Sequence, residues 1–206
     1  ALFMGVVTIL SVILGGRYEF AVMLPEKEED AVNVFALSFL INVSISSLIL
    51  FITILFHGLI AKSFDDSLSD WLYAVPAAAF LINLFNSLQI FNNRKKEYKN
   101  IAKSSGIRAV FLAIVQISLG IVKSGVAGLI SGQIASHFFA NIFLLKKILS
   151  DRSFSLNITK KKILEMASVY DKFPKYNVAH TLTNTFFSTL PIFILSYFFT
   201  SSVVGL

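Results

Sequence analysis

Cysteine is missing from this 206-residue sequence, which excludes a disulfide framework, a thiol nucleophile and any cysteine-ligated metal. Histidine is scarce. His57, His137 and His180 fall on three different apolar runs without metal-ligand spacing, so neither a metal nor a cofactor is expected. Charged residues make up only 15% of the chain, too few to clothe a soluble domain. The opening run ALFMGVVTIL lacks a basic region before it and a small-residue cleavage site after it, so it does not read as a signal peptide. The closing SSVVGL enters another apolar segment, and the chain reads as an internal piece of a longer protein.

What the chain does have is hydrocarbon. Hydrophobic residues make up 55% of it, with 21 Phe, a composition that places it in a membrane. A crossing helix needs about 20 mostly apolar residues. Six runs meet that length, at 2–24, 34–60, 71–91, 106–123, 125–145 and 179–199, which predicts an all-α, polytopic membrane helix bundle. Lys and Arg outnumber Asp and Glu by 18 to 12, but they sit in short segments between apolar runs, so nucleic acid is excluded as a partner and the lipid bilayer is expected. Alternating the connections places sixteen basic residues on one side and only Lys62 and Lys123 on the other, which makes the basic side cytoplasmic. In the connection 146–178, Ile163, Leu164, Ala167 and Tyr170 recur at helical spacing behind Lys160–Lys162, predicting a helix lying on the membrane surface.

Polar residues inside the spans line up at 100° per residue. Thr8, Ser11, Gly15 and Glu19 share one face of the first span, and Ser38, Asn42, Ser46 and Thr53 one face of the second. Asn83, Asn86 and Ser87 follow on the third, Gln116 on the fourth, Gln133, His137 and Asn141 on the fifth, and Thr181, Asn184, Thr185 and Ser188 on the sixth. Hydrogen bonding between packed helices would explain any one stripe, but five clear stripes on six helices favour a shared, water-lined interior. On the fifth span Gly125, Gly128, Gly132 and Ser136 form a small-residue ridge suited to close helix packing. Pro76 and Pro191 are expected to kink their helices.

Arg17 and Glu19 are the anomaly of the first span. Arg17 lies eight residues before Pro25, about 12 Å inside a continuous helix at 1.5 Å per residue. Two residues apart on such a helix is 200°, so the pair is predicted not to meet, each needing its own partner. Ionisable groups at membrane depth are costly, so Glu19 reads either as functional or as structurally paired, and Arg17 more simply as snorkelling or structurally paired than as a phosphate ligand.

The stretches GRYEFAVMLPEKEEDAVNVFALSF (16–39) and YDKFPKYNVAHTLTNTFFSTLPIFILSYFFTSSVVGL (170–206) resemble bacterial polysaccharide-biosynthesis flippases. These are the O-antigen and capsule repeat-unit translocases of the multidrug/oligosaccharidyl-lipid/polysaccharide exporter superfamily. The resemblance implies that the six spans correspond to helices two to seven of a two-lobe exporter. Residues 1–145 would form part of the first lobe, 146–178 a basic inter-lobe linker, and 179–206 the first helix of the second lobe. It implies a non-enzymatic carrier in the bacterial inner membrane that flips an undecaprenyl-diphosphate-linked oligosaccharide by alternating access, alongside other polysaccharide-assembly proteins. Arg17 and Arg108 would hold the diphosphate, and Glu19, Asn42, Asn83, Asn86, Gln133, His137 and Asn184 would contact sugar or coupling ions. A multidrug or organic-cation antiporter of the same superfamily, a membrane enzyme of glycan assembly, and a structural subunit are the alternatives. An enzyme would have Asp65, Asp66 and Asp70 as its candidate cluster, which reads more simply as a solvated loop.

Overall fold

The computed structural model describes residues 2–61, 70–150, 154 and 157–198. Among these the secondary structure is helical throughout: α1 (Leu2–Leu14), α2 (Tyr18–Ala21), α3 (Glu28–Ala61), α4 (Ala74–Arg94), α5 (Tyr98–Ile121), α6 (Val126–Leu149), α7 (Lys160–Val169) and α8 (Val178–Phe198). A 3₁₀ turn, Asp70–Tyr73, leads into α4, and a π-helical turn, Phe173–Asn177, leads into α8. Five helices, α3 to α6 and α8, are long and apolar enough to cross a membrane, and α1 is a shorter apolar helix.

Five of the predicted spans are found, with shifted ends. α5 begins eight residues before the predicted 106 because Ser104 turns its hydroxyl onto the Ile101 carbonyl, 2.8 Å away, rather than breaking the helix. The first span is corrected. α1 stops at Leu14, Gly16 (φ 57°) and Arg17 (φ 62°) turn left-handed, and only the four-residue α2 follows. A left-handed residue after a helix ends its hydrogen-bond ladder, and here Gly16 N–H closes back onto the Ile13 carbonyl at 2.9 Å. Pro76 is likewise not a mid-helix kink; it sits in the first turn of α4, where its missing N–H costs nothing.

α4 is the hub, packed against α1, α3 and α6, while α5 lies on α6 and α8 on α1. The apolar core has two parts. One gathers Phe3, Val7, Leu14, Val75, Ala79 and Ile130 of α1, α4 and α6. The other lies toward the opposite end, where Tyr18, Phe35, Leu88, Phe91, Leu144, Phe154 and Met166 converge.

That second cluster shows what the inner side of the 160–169 helix meets. α7 forms where predicted, but Ile163, Ala167 and Tyr170 pack on protein, and of the four residues named only Leu164 stays widely exposed. The Lys162 ammonium binds Glu29 Oε1 at 2.8 Å and Asp30 Oδ1 at 3.0 Å, in the acidic first turn of α3. Asn33 completes the dock, donating to the Asn157 carbonyl at 2.7 Å and accepting the Thr159 N–H at 3.0 Å. Lys162 is held above the usual lysine range by these hydrogen bonds, Glu29 first and Asp30 second. Asp171 is held below its usual value by the hydrogen bond from Lys175.

Candidate functional site

The break between α1 and α2 makes the candidate site. Because Arg17 is left-handed, the 200° rule for a continuous helix does not apply, and the expectation that the pair stays apart is overturned. Arg17 Nη1 stands 3.6 Å from Glu19 Oε1, within ion-pair range but too long for a hydrogen bond. The guanidinium lies over the Phe20 ring, 4.4 Å from its centroid. Arg94 braces the segment from behind, donating to the Val22 carbonyl at 3.1 Å and the Pro25 carbonyl at 2.6 Å. These carbonyls belong to the frayed end after α2 and have no helical partner, so a fixed cation is their natural donor.

A cleft of about 210 Å³ opens beside the break, lined by Ser11, Arg17, Glu19, Phe20, Asn83, Asn86 and Gln89 among others. Glu19 is buried at its floor, packed over Gly15; a Cβ on Gly15 would collide with Glu19 Oε2 and reach Asn83 Oδ1 at 3.0 Å. Asn83 is oriented by its own bond, Nδ2 donating to the Ser11 carbonyl at 3.0 Å. Gln89 donates to Ser105 Oγ at 3.1 Å, tying α4 to α5 at the cleft edge. The sequence placed Ser11 on the right face but not in the site, and it missed Gln89, although Gln89 lies three residues beyond Asn86 at helical spacing.

The other candidates are not in this cleft. Asn42 donates to the Phe80 carbonyl at 3.3 Å, and Asn141 to the Leu81 carbonyl at 2.9 Å. With Asn83 they form three interhelical bonds centred on one turn of α4, so the asparagines act largely as links between packed helices. His137 is buried with Nδ1 2.9 Å from the Gln133 carbonyl of its own helix, edge-on to Phe85. Arg108 approaches the same ring from α5, its guanidinium carbon 5.6 Å from the centroid. Gln133 is half-buried near this group, and Asn184 lines a separate shallow hollow on α8 with His180, Thr183 and Phe187. The structure therefore joins Arg17, Glu19, Asn83 and Asn86 in one site and leaves Asn42, Arg108, Gln133, His137 and Asn184 outside it.

The ridge on α6 serves packing. Gly128 and Gly132 admit Leu119 and Gln116 of α5, and a Cβ on Gly132 would come within 2.6 Å of Gln116 Cγ. Asp65 and Asp66 of the acidic segment lie outside the described residues, as do Lys62 and Arg152.

Comparison with known proteins gives no match among curated proteins and none among solved structures. A family model does match, over residues 1–206, and with the helical membrane architecture it shows that the chain belongs to the polysaccharide biosynthesis protein family.

Proposed function

We propose that this protein is a carrier, not an enzyme, that flips an undecaprenyl-diphosphate-linked oligosaccharide from the cytoplasmic to the outer leaflet by alternating access. Membership of the polysaccharide biosynthesis family supports a role in polysaccharide assembly. The observation that carries the finer reading is the unequal exposure of two ionisable neighbours: the Arg17 side chain is 19% exposed and that of Glu19 only 2%. The charge offered to the cleft is thus positive, which suits a diphosphate bound bidentately by a guanidinium. It disfavours an organic-cation antiporter, which needs an accessible carboxylate.

Asn86 and Gln89 extend from Arg17 along α4 and supply amides to sugar hydroxyls, while the polyprenyl tail stays in lipid. In this reading α1 to α6 form one wall of the path, the segment 146–178 is cytoplasmic, and α8 begins a second lobe. The site lies in the bacterial inner membrane with its mouth toward the basic side.

The test uses a host whose surface polysaccharide depends on this gene. Arg17→Gly is expected to lower delivery of repeat units to the outer leaflet by at least about tenfold, the scale of one lost charge-assisted contact, at unchanged protein level. Repeat units should then accumulate on the inner leaflet. Failure of a gene deletion to make lipid-linked repeat units at all would overturn the carrier and favour an assembly enzyme.

A further inference from the structure

Two oxygen atoms at the floor of the cleft have no donor among the described residues. Glu19 Oε2 and Asn83 Oδ1 are both buried and without a hydrogen-bond partner there, on residues 1% and 2% exposed. Both stand within 3.0 Å of a single point, the place a Cβ on Gly15 would occupy, with Asn83 Nδ2 3.1 Å from it. Asn83 Nδ2 is engaged by the Ser11 carbonyl, which leaves the amide oxygen as its unpartnered atom. Two buried acceptors beside one point each forgo a hydrogen bond unless a hydrogen is supplied there.

We propose that Glu19 and Asn83 share one proton, Glu19 being a neutral carboxylic acid whose Oε2–H donates to Asn83 Oδ1. The geometry on the other side of Glu19 agrees. A charged carboxylate beside arginine closes to about 2.7–2.9 Å, whereas Arg17 stays 3.6 Å away, leans over Phe20 and leaves its Nε without a partner. Arg17 is the charged neighbour of Glu19 in the cleft; α1 presents Ser11 and Gly15 there, and α4 presents Asn83, Asn86 and Gln89, all neutral. A neutral Glu19 therefore leaves the arginine's charge uncompensated and available to an anion. Only that last consequence rests on the flippase reading; the shared proton does not.

The experiment is infrared spectroscopy of the purified protein in lipid nanodiscs at neutral pH, without substrate. A protonated-carboxyl C=O band is expected that vanishes in Glu19→Gln and, in Asn83→Ala, persists but moves to higher frequency as the acid loses its acceptor. Thermal unfolding adds a second readout. Glu19→Gln, whose amide N–H supplies the same donor, should melt at or above the wild-type temperature, and Glu19→Ala below it. The proposal is overturned if no carboxyl band depends on Glu19. It is equally overturned if sodium raises the melting temperature of the wild type but not of Glu19→Gln, because the shared atom is then a metal ion. Loss of delivery in cells leaves these spectra untouched, so the carrier reading and the shared proton fail separately.

Discussion

A single backbone sign governs the site. Arg17 has a left-handed conformation that costs an L-residue roughly 1–2 kcal/mol, and the guanidinium over Phe20 returns about 0.5–1 kcal/mol. Arg17→Gly removes both, so its thermal stability should stay within about 1 kcal/mol of wild type even as delivery falls. That separation of stability from transport is what distinguishes a ligand-binding arginine from a structural one. Gly15 behaves oppositely. Gly15→Ala drives a methyl into Glu19 and Asn83, and chemical or thermal unfolding in detergent should show a loss of about 1–3 kcal/mol. At this scale the sequence flagged the right residues, since a charge inside an apolar run is visible in one dimension. It could not show that Arg17 and Glu19 meet, because periodicity assumes a helix that Gly15, Gly16 and Arg17 interrupt.

At the scale of elements, two docks hold the bundle, one of small residues and one of charges. The α5–α6 hairpin closes through Gly128 and Gly132, so Gly132→Leu should force Gln116 aside and destabilise by roughly 1–3 kcal/mol, read by unfolding of the purified protein. α7 is held through Lys162, Glu29 and Asp30. Lys162→Glu should speed amide hydrogen exchange across Lys160–Val169, and the added substitutions Glu29→Lys and Asp30→Lys should restore protection. The sign with pH follows from the raised value at Lys162: the contact is fully present below the usual lysine range and is lost as pH rises through the higher folded value. The small-residue ridge was legible because its spacing is its function. The α7 dock was not, because an amphipathic helix has the same pattern whether its apolar side meets lipid or protein.

For the whole molecule, the turn Lys95–Glu97, the segment Pro25–Lys27 and α7 gather at one end of the bundle, held by Lys95 to Glu28 at 2.8 Å and by Arg94 to Pro25. The turn at Lys123 and the stacked rings of His57 and Tyr73 lie at the far ends of the same helices. Since these 206 residues contain no cysteine, single introduced thiols report topology without background from this part of the protein. Lys96→Cys and Lys161→Cys, both exposed, should react with a membrane-impermeant maleimide only after the cells are opened. Lys123→Cys should react in intact cells. The opposite labelling pattern would invert the orientation that the positive-inside rule assigns.

The sequence by itself determined the solvent and the class. Composition and run length dictate helices that cross a bilayer, because unpaired backbone groups cannot be left in hydrocarbon. The same runs and motifs carry the family. Tertiary structure alone decided which polar residues face one another. The asparagine stripes could have lined a channel or linked helices, and neighbouring carbonyls on α4 took Asn42 and Asn141 as links, while the broken helix gathered Arg17, Glu19, Asn83 and Asn86 around one cleft. The physical reason is that helical periodicity fixes the direction of a side chain only relative to its own axis. What lies in that direction depends on the packing of other helices and on where the axis itself breaks.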